Sequence, residues 1–383
     1  MADRFTLKKL STSRFLDSTL IITISLLIIF GLVVLFSVSS YDGSVTYNDS
    51  MYYFRKQITS TLFGLVIMFL VSFVPYHFWA RLSGLAYIFA MVLLFLIIPF
   101  GTEVNGAKRW IKFMGTSIQP AEVAKLAIIL FLANLVCRMG SAITTWKGMI
   151  IALGTSMPMV LAIYIITRNL SSAIIVFGIA FIMCFIVSPD YKKFVLMGVF
   201  LVAMCALAVY IVVRNKDGAM GYRGERILAW LDPNAYAAGK GFQTLQALYA
   251  IGSGGIFGKG IGQSMQKLGF LPEAQNDMIF SIICEELGFF GALCVIMLFL
   301  LLLWRCMILA NNAADLYGAL LIVGFMGHIA IQVILNIAVV TNTIPNTGIS
   351  LPFISYGGSS VVSLLFEVGL VFSVQRGIVV RDS

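Results

Sequence analysis

Charged residues are scarce in this chain, and their scarcity limits what the protein can be. Only 11% of its 383 residues are Asp, Glu, Lys or Arg, whereas 60% are hydrophobic. Soluble domains are about a quarter charged and about half apolar. The composition therefore excludes an ordinary soluble protein and predicts an all-α polytopic membrane protein.

Histidine and paired cysteine are also lacking. His77 and His328 are the two histidines, which speaks against a histidine-based metal site or a Ser-His triad. The cysteines form no CxxC motif and lie in or at the ends of apolar segments, so we expect buried thiols rather than disulfides or metal ligands. The cysteines are Cys137, Cys184, Cys205, Cys284, Cys294 and Cys306.

A cleavable signal peptide is the third absence. The first apolar run, 19–38, is too long for a signal segment and long enough to span a bilayer. Basic residues precede it, which places the N-terminus in the cytoplasm. The spanning runs predict ten helices in one transmembrane domain over 1–383, with cytoplasmic tails at 1–16 and 376–383. The predicted helices are 17–39, 57–75, 82–100, 121–138, 148–167, 171–188, 194–213, 276–309, 316–343 and 351–375.

Positive charge collects where membrane topology disfavours it. The formal net charge is +9, and Lys and Arg cluster in the predicted outer loops 101–120 and 214–275. Cytoplasmic loops normally carry the excess of basic residues, so these clusters need another reason. We expect an anionic ligand at the outer face, and no nucleic acid. Within the long loop, residues 243–251 predict an amphipathic helix at the membrane surface.

The most unusual stretch is 267–291, where a polar loop runs into an apolar segment. Glu273 and Asp277 precede the segment, and Glu285 and Glu286 lie within it. A charge at the centre of a bilayer costs at least about 2.5–3.5 kcal/mol, so such carboxylates face a cavity or a partner. Glu273 and Asp277 are either helix-end carboxylates or the chemical centre. For Glu285 and Glu286 we expect structural polar contacts inside the bundle.

The motif QPAEVAK opens the fourth predicted helix. Glu122 and Lys125 are three residues apart and share one helix face. Two interpretations are open. The two residues form an ion pair at a helix interface, or they face a polar cavity at the depth of Asp277.

The glycine-rich segment GSGGIFGKGIG, at 252–262, suggests a phosphate loop but does not fit one. Ser253 and Gly260 occupy positions where a Walker A motif needs Gly and then Ser or Thr. Backbone N–H groups in such a turn can still form an anion nest. The alternative is a tight, close-packed loop.

Two groups of polar residues occur near the C-terminal end. Hydroxyl side chains are dense at 342–360 between apolar helices, where irregular backbone is tolerated only if it is buried or lines a cavity. Ser355, Tyr356, Ser359 and Ser360 are candidate donors to sugar or phosphate oxygens. A second group, spaced by four residues, predicts hydrogen bonds between helices. It comprises His328, Gln332 and Asn336.

Five motifs occur in order across the chain. They are NGAKRWI with QPAEVAK, RxxRxxxWLDP, GSGGIFGKGIGQSMQK, LPEAQNDMIFSIICEELG and LPFISYGGSS. With the ten-helix layout, they resemble the SEDS family (shape, elongation, division and sporulation), the FtsW/RodA-type peptidoglycan polymerases. The branch within the family stays open.

The resemblance implies an activity, a location and a partner. A glycosyltransferase of this type polymerises lipid II at the outer face of the bacterial cytoplasmic membrane. The 4-hydroxyl of the acceptor GlcNAc attacks C1 of the donor MurNAc with inversion, and undecaprenyl pyrophosphate leaves. The family's partner is a class B penicillin-binding protein, a transpeptidase. A lipid II transporter (flippase) and a non-catalytic scaffold for a transpeptidase are the alternatives.

The resemblance also implies roles for residues. The family's catalytic Asp falls on Asp277, and its QPSExxK acid and lysine fall on Glu122 and Lys125. We expect Asp277 to act as the base, with Lys125 paired to it and keeping its pKa low. The chain departs from the family pattern at 168–172, Gln275, Asn276 and Asn346.

Substrate contacts are expected from the outer loops and the last irregular segment. Basic side chains there would stabilise the leaving pyrophosphate, with Mg or Mn as an optional divalent cation and no organic cofactor. The predicted substrate-binding residues are Arg109, Trp110, Arg223, Arg226, Ser264, Gln266, Lys267, Glu273, Ser355, Tyr356, Ser359 and Ser360.

Overall fold

Helices dominate the described chain. The computed structural model describes residues 17–104, 107–113, 116–214 and 221–378, so the predicted tail 1–16 and most of the tail 376–383 lie outside it. The helices are α1 Ser18–Tyr47, α2 Tyr52–Phe73, α3 Tyr76–Phe100, α4 Pro120–Met139, α5 Trp146–Gly154, α6 Met157–Ile166, α7 Leu170–Val187, α8 Tyr191–Arg214, α9 Gly221–Leu231, α10 Phe242–Gly254, α11 Ile279–Asn311, α12 Leu316–Val340 and α13 Gly358–Arg376.

The predicted number of membrane spans is confirmed. Within the described residues, 10 spans are long and apolar enough to cross a bilayer, and α5 with α6 forms one of them. Several predicted bounds are wrong. Helices α2 and α3 begin at Tyr52 and Tyr76 instead of 57 and 82. Helix α1 continues to Tyr47 instead of ending at 39, and Asn48 caps it with φ 52. Helix α13 begins at Gly358 instead of 351, because Pro352 lies in a turn and cannot donate to a helix.

Helix α11 is interrupted near its N-terminal end. Gly288 has φ 68 and ψ −166 inside the otherwise helical segment. Glycine adopts such a conformation without the steric cost that a Cβ would impose. The interruption separates the turns that carry Glu285 and Glu286 from the rest of the helix.

The helices differ in how deeply the bundle surrounds them. In α12 and α13, 67% and 72% of the apolar stretch is buried inside the protein. Glycines permit close packing here, since Gly324 lies against Ile129 of α4 and Gly369 against Met68 of α2. At the other extreme, α8 buries only Phe194 among its described residues.

The predicted outer loops contain regular structure. The described residues within 101–118 form a three-stranded antiparallel sheet of β1 Gly101–Val104, β2 Ala107–Phe113 and β3 Thr116–Ile118, which the sequence does not predict. Thr102 lies opposite Trp110, and Ile111 lies opposite Ile118. The predicted helix 243–251 is present as α10, which buries Leu245 and packs against α11.

Candidate functional site

Asp277 lies where three segments meet. It directly precedes Met278, the N-cap of α11. Its main-chain oxygen accepts a hydrogen bond of 2.8 Å from Asn336 Nδ2. The same amide donates to the Ile349 carbonyl at 2.6 Å. Asn336 of α12 therefore joins the loop before α11 to the irregular segment 341–357, and not to another helix as predicted. The predicted bond between helices is observed for His328, which contacts Glu367 of α13.

The carboxyl group of Asp277 is poised for proton transfer near neutral pH. The residue is half-buried, and no described residue hydrogen bonds to its buried Oδ1. Burial, with a smaller contribution from the negative charge of Glu273, raises the pKa of Asp277 to about 7, although Arg226 opposes the rise. Oδ2 lies beside Gly348, where a Cβ would sit 3.6 Å away. A carboxylate with such a pKa can accept a proton from a hydroxyl group.

Lys125 does not pair with Asp277, so that prediction is wrong. Its Nζ lies 2.7 Å from Glu122 Oε1, and the two side chains are 1% and 6% exposed. In the part of the chain that the structure describes, no ion pair joins Lys125 to Asp277. The i,i+3 spacing supplies a nearer partner on the same helix face. The prediction that Lys125 keeps the pKa of Asp277 low is wrong for the same reason.

The Glu122–Lys125 pair lies in the protein interior next to α13. Ser363 Oγ donates to the Glu122 main-chain oxygen at 3.2 Å. Glu122 Oε2 is buried without a hydrogen bond from any described residue. Of the two interpretations, the ion pair at a helix interface is the one observed.

The segment 351–357 packs against the loop that carries Asp277. Tyr356 donates its N–H to the Gln275 carbonyl at 2.9 Å. Gln275 Nε2 in turn donates to Asp42 of α1 at 2.9 Å. Gln57 of α2 accepts from the Gly357 N–H at 3.1 Å. Residues of α1 and α2 therefore hold this corner together with the start of α13.

The predicted hydroxyl donors divide into two groups. Ser355 is buried, and its Oγ accepts from the Leu351 N–H at 2.7 Å, so it stabilises its own turn. Tyr356, Ser359 and Ser360 are half-buried near the start of α13. These three remain candidates for substrate contact, whereas Ser355 is a structural residue.

Lys267, predicted to bind pyrophosphate, is directed into the protein. Its Nζ lies 2.7 Å from Glu286 Oε1, and its side chain is 8% exposed. Ser264 Oγ donates to Glu285, and the Gln266 N–H donates to the same carboxylate at 3.4 Å. The ion pair neutralises the charge of Lys267, and the hydrogen bond to Glu285 occupies the Ser264 hydroxyl. The expected structural polar contacts of Glu285 and Glu286 are confirmed.

The glycine-rich loop 252–262 packs tightly on the interruption of α11. The N–H groups of Lys259 and Gly260 donate to the main-chain oxygens of Glu285 and Glu286 at 3.0 and 2.9 Å. A Cβ on Gly254 would lie 1.9 Å from the Cys284 main-chain oxygen, and a Cβ on Gly258 would lie 2.2 Å from that of Glu286, so either would clash. The main-chain oxygens that lose their helical partners at Gly288 thus accept hydrogen bonds from the loop. Of the two interpretations, the close-packed loop is the one observed.

A small cavity adjoins the loop that precedes Asp277, and Pro272 of that loop lines it. It has a volume of about 220 Å³ and is lined by Arg226, Trp230, Lys240, Gln243 and other residues of α9, α10 and 341–357. Arg226 Nη1 donates to the Asn346 carbonyl at 3.1 Å, and Asn346 Nδ2 donates to Gln243 at 2.8 Å. Trp230 and Gln243 are additions to the predicted set. Trp230 belongs to the RxxRxxxWLDP motif, which is the signal that indicates it, whereas Gln243 lies ten positions after the motif and no sequence signal indicates it.

The remaining predicted contacts lie outside this cavity. Arg109 and Trp110 lie on β2, where the Trp110 carbonyl accepts from Thr102 Oγ1 at 3.1 Å. Glu273 lies at a turn with φ 57 and accepts from Asn276 Nδ2. The side chain of Arg223 lies outside the described residues.

The described side chains do not build a protein-only metal site. Nowhere in the described ranges do three His, Cys, Asp or Glu side chains converge as metal ligands would. All six cysteines are free thiols, as predicted, but Cys205 and Cys294 are exposed, so the expectation that all are buried is wrong. The divalent cation stays a prediction, for which Asp277 and its neighbour Glu273 are the carboxylates in reach.

Comparison of sequences places this arrangement in a known family. Residues 17–378 match the FTSW_RODA_SPOVE family, described as cell cycle protein. Stage V sporulation protein E of Bacillus subtilis is 38% identical over 363 residues, covering 94% of this chain and 97% of that protein. A probable peptidoglycan glycosyltransferase FtsW of Trichlorobacter lovleyi is 34% identical, covering 90% of this chain and 88% of that protein.

Solved structures agree with the sequence comparison. One similar chain comes from a peptidoglycan synthase complex that coordinates polymerization and crosslinking, with a TM-score of 0.76, 28% identity and coverage of 94% of this chain and 97% of that one. The rod shape determining protein RodA of Thermus thermophilus has a TM-score of 0.66 and 26% identity, covering 94% and 96%. The chain therefore belongs to the FtsW/RodA/SpoVE family of cell cycle proteins.

Proposed function

We propose that this chain is a peptidoglycan glycosyltransferase that polymerises lipid II with Asp277 as its general base. The observation that carries the proposal is the half-buried Asp277 carboxyl group, whose Oδ1 has no described hydrogen-bond partner and whose pKa is raised to about 7. Relatives that are named peptidoglycan glycosyltransferases support the reaction class.

The reaction is a single displacement at the donor sugar. Asp277 accepts the proton of the acceptor 4-hydroxyl while that oxygen bonds to C1 of the donor MurNAc. The bond between C1 and the pyrophosphate oxygen breaks, and undecaprenyl pyrophosphate leaves with the electron pair. One displacement inverts the configuration at C1. No described residue needs to form a covalent intermediate.

Cationic and polar groups beside Asp277 stabilise the departing charge. Arg226 lines the adjoining cavity, and its charge acts on Asp277. Preorganised donors aimed at developing charge are often the strongest single contribution to catalysis. We keep Arg109, Trp110, Arg223, Gln266 and Glu273 as predicted contacts, with Tyr356, Ser359 and Ser360. The Glu122–Lys125 pair is buried at the start of α4, where Ser363 of α13 donates to the Glu122 main-chain oxygen. No step of this reaction uses the divalent cation that the sequence predicts.

The site faces outward in the proposed topology. The chain is a multi-pass membrane protein, and both tails lie in the cytoplasm of a bacterium if the basic N-terminus stays inside. Loops 101–120 and 214–275 then lie at the outer face with Asp277. A class B penicillin-binding protein is the proposed partner, because a similar chain occurs in a complex that couples polymerization with crosslinking.

Substitution of the base tests the proposal. Asp277→Asn keeps the shape of the side chain but removes its basicity, so the purified protein with its transpeptidase should form no glycan polymer from lipid II. Losses of 10²–10⁴-fold are typical when a general base is removed. Lys192→Ala, on the exposed start of α8, is the matched control. Polymer from Asp277→Asn at the wild-type rate contradicts the assignment.

A further inference from the structure

Glu285 organises the loop that precedes α11. Its carboxylate is 1% exposed and lies 2.7 Å from Lys259 Nζ. It also accepts from the Ser264 hydroxyl and from the Met265 N–H at 3.2 Å. Lys259 is held a second time, because its N–H donates to the Glu285 main-chain oxygen at 3.0 Å. One carboxylate thus fixes both ends of the segment 259–265.

Glu286 fixes the next part of the loop to a different helix. Its Oε1 lies 2.7 Å from Lys267 Nζ, and the two side chains are 3% and 8% exposed. Ser37 of α1 donates to the same carboxylate at 3.0 Å, and Lys267 Nζ donates to Ser37 at 2.9 Å. The three groups form a closed cluster between α1, α11 and the loop.

The two carboxylates stand at the start of the interruption in α11. Their main-chain oxygens bond to the glycine-rich loop, and the N–H groups of Phe289 and Phe290 donate to Gly255 and Ile256 at 2.9 and 3.1 Å. Backbone and side chains therefore join the same loop to the same two turns. The outer turns of α11 begin two residues after Asp277.

We propose that Glu285 and Glu286 are positioning residues for sugar transfer. Through Lys259 and Lys267 they lock the segment 253–277 onto α11 and α1, and so set the place of the Asp277 carboxyl group. The proposal rests on the proposed function, and it assigns Lys267 a partner within the protein instead of the substrate. Displacement of a reacting group by about 1 Å can cost about 100-fold in rate.

Kinetics of single variants test the positioning role. Glu286→Gln and Lys267→Met should each lower kcat about 10- to 100-fold and leave KM for lipid II unchanged, because the base is displaced and the substrate contacts remain. Arg55→Met is the matched control, since it breaks an exposed ion pair with Asp49 and should leave both constants unchanged. A wild-type kcat for Glu286→Gln overturns the proposal.

Exchange of the two charges distinguishes positioning from substrate binding. The double variant with Lys267→Glu and Glu286→Lys restores an ion pair, so kcat should recover at least about tenfold over the single variants. If Lys267 binds pyrophosphate, the exchange places an acid in the substrate site, and KM rises without recovery of kcat. That outcome overturns the proposal. If the exchange variant does not fold, Lys267→Met with Glu286→Met removes both charges and should also exceed the single variants.

Hydrogen exchange separates this proposal from the proposed function. In Glu286→Gln, the amides of 264–277 should exchange faster than in the wild type, whereas those of α12 stay protected. This result needs no enzymatic activity. Unchanged protection of 264–277 overturns the positioning role even if polymerisation is confirmed, and failed polymerisation by the wild type leaves this measurement intact.

Discussion

Helices α13 and α8 are both membrane spans, yet the rest of the bundle buries them to opposite extents. In α13, 72% of the apolar stretch is buried, against 0% in α8. The buried helix is the more polar one, with Ser363 and Glu367 facing the interior. Residues 194–213 of α8 carry no charged side chain. In a bilayer, lipid replaces water outside the protein, so polar residues concentrate inside.

The comparison explains where the candidate site lies. The interior helices α4, α12 and α13 hold the buried pairs Glu122–Lys125 and His328–Glu367. Asn336 extends this interior to Asp277. Helix α8 contributes nothing described to that corner. Substitutions in the interior should therefore affect stability and chemistry, whereas substitutions in α8 should have little effect on either.

Breaking the buried pair in α4 should give the largest effect on stability. Lys125→Met leaves Glu122 as a buried, uncompensated charge, which typically costs about 3–5 kcal/mol in the free energy of unfolding. Thermal unfolding in detergent measures the loss. The control Lys192→Ala, on α8, should change the free energy by less than about 0.5 kcal/mol. Equal losses in the two variants would show that burial is not the cause.

A methyl group added to each helix should sharpen the contrast. In α13, a Cβ on Gly369 would lie 2.8 Å from the Met68 carbonyl oxygen and 2.9 Å from Val71 Cβ, so Gly369→Ala forces backbone to shift. Overpacking of this kind costs about 1–3 kcal/mol.

The matched change in α8 should act in the other direction. A Cβ on Gly198 meets no atom within 4 Å. Gly198→Ala should raise the free energy of unfolding by up to about 1 kcal/mol, because alanine favours the helix. Thermal unfolding of the two variants side by side checks the pair, and destabilisation by Gly198→Ala would mean that α8 packs more tightly than the structure shows.

The last effect concerns pH, and it acts on the reaction and not on stability. Burial and Glu273 raise the pKa of Asp277 to about 7, and the base acts when ionised, so kcat/KM should fall about tenfold per pH unit below about 7 and level off above it. Glu273→Gln removes a negative charge and should move this profile to lower pH. Lys192→Ala should leave it unchanged. A profile that moves to higher pH in Glu273→Gln contradicts the assigned cause.

Hydropathy predicts the membrane spans because each one is a long apolar run, whatever surrounds it. It does not predict partners. The motifs assign Lys125 to Asp277 and Lys267 to pyrophosphate, but each lysine lies 2.7 Å from a glutamate. The i,i+3 spacing of Glu122 and Lys125 already indicates the observed partner of the first lysine. The second depends on a loop folding back to join Lys267 to Glu286, 19 positions away, and no local pattern encodes that.

The three-stranded sheet and the protonation of Asp277 are likewise not predictable from local sequence patterns. Residues 101–118 have no long alternating pattern, and pairing between strands creates the sheet. A motif identifies Asp277, yet its raised pKa arises from burial among segments distant in sequence. The motif indicates which residue matters, and tertiary packing determines its protonation.

The interruption at Gly288 has a consequence for membrane thickness. Helix α11 has 33 residues, which at 1.5 Å each is about 50 Å, far more than the hydrocarbon core of about 30 Å. Residues 289–311 alone supply the roughly 20 residues that a crossing requires. The first turns of α11, with Glu285 and Glu286, are therefore surplus to the crossing. They are available to anchor the loop before Asp277, at a depth where carboxylates do not have to meet lipid.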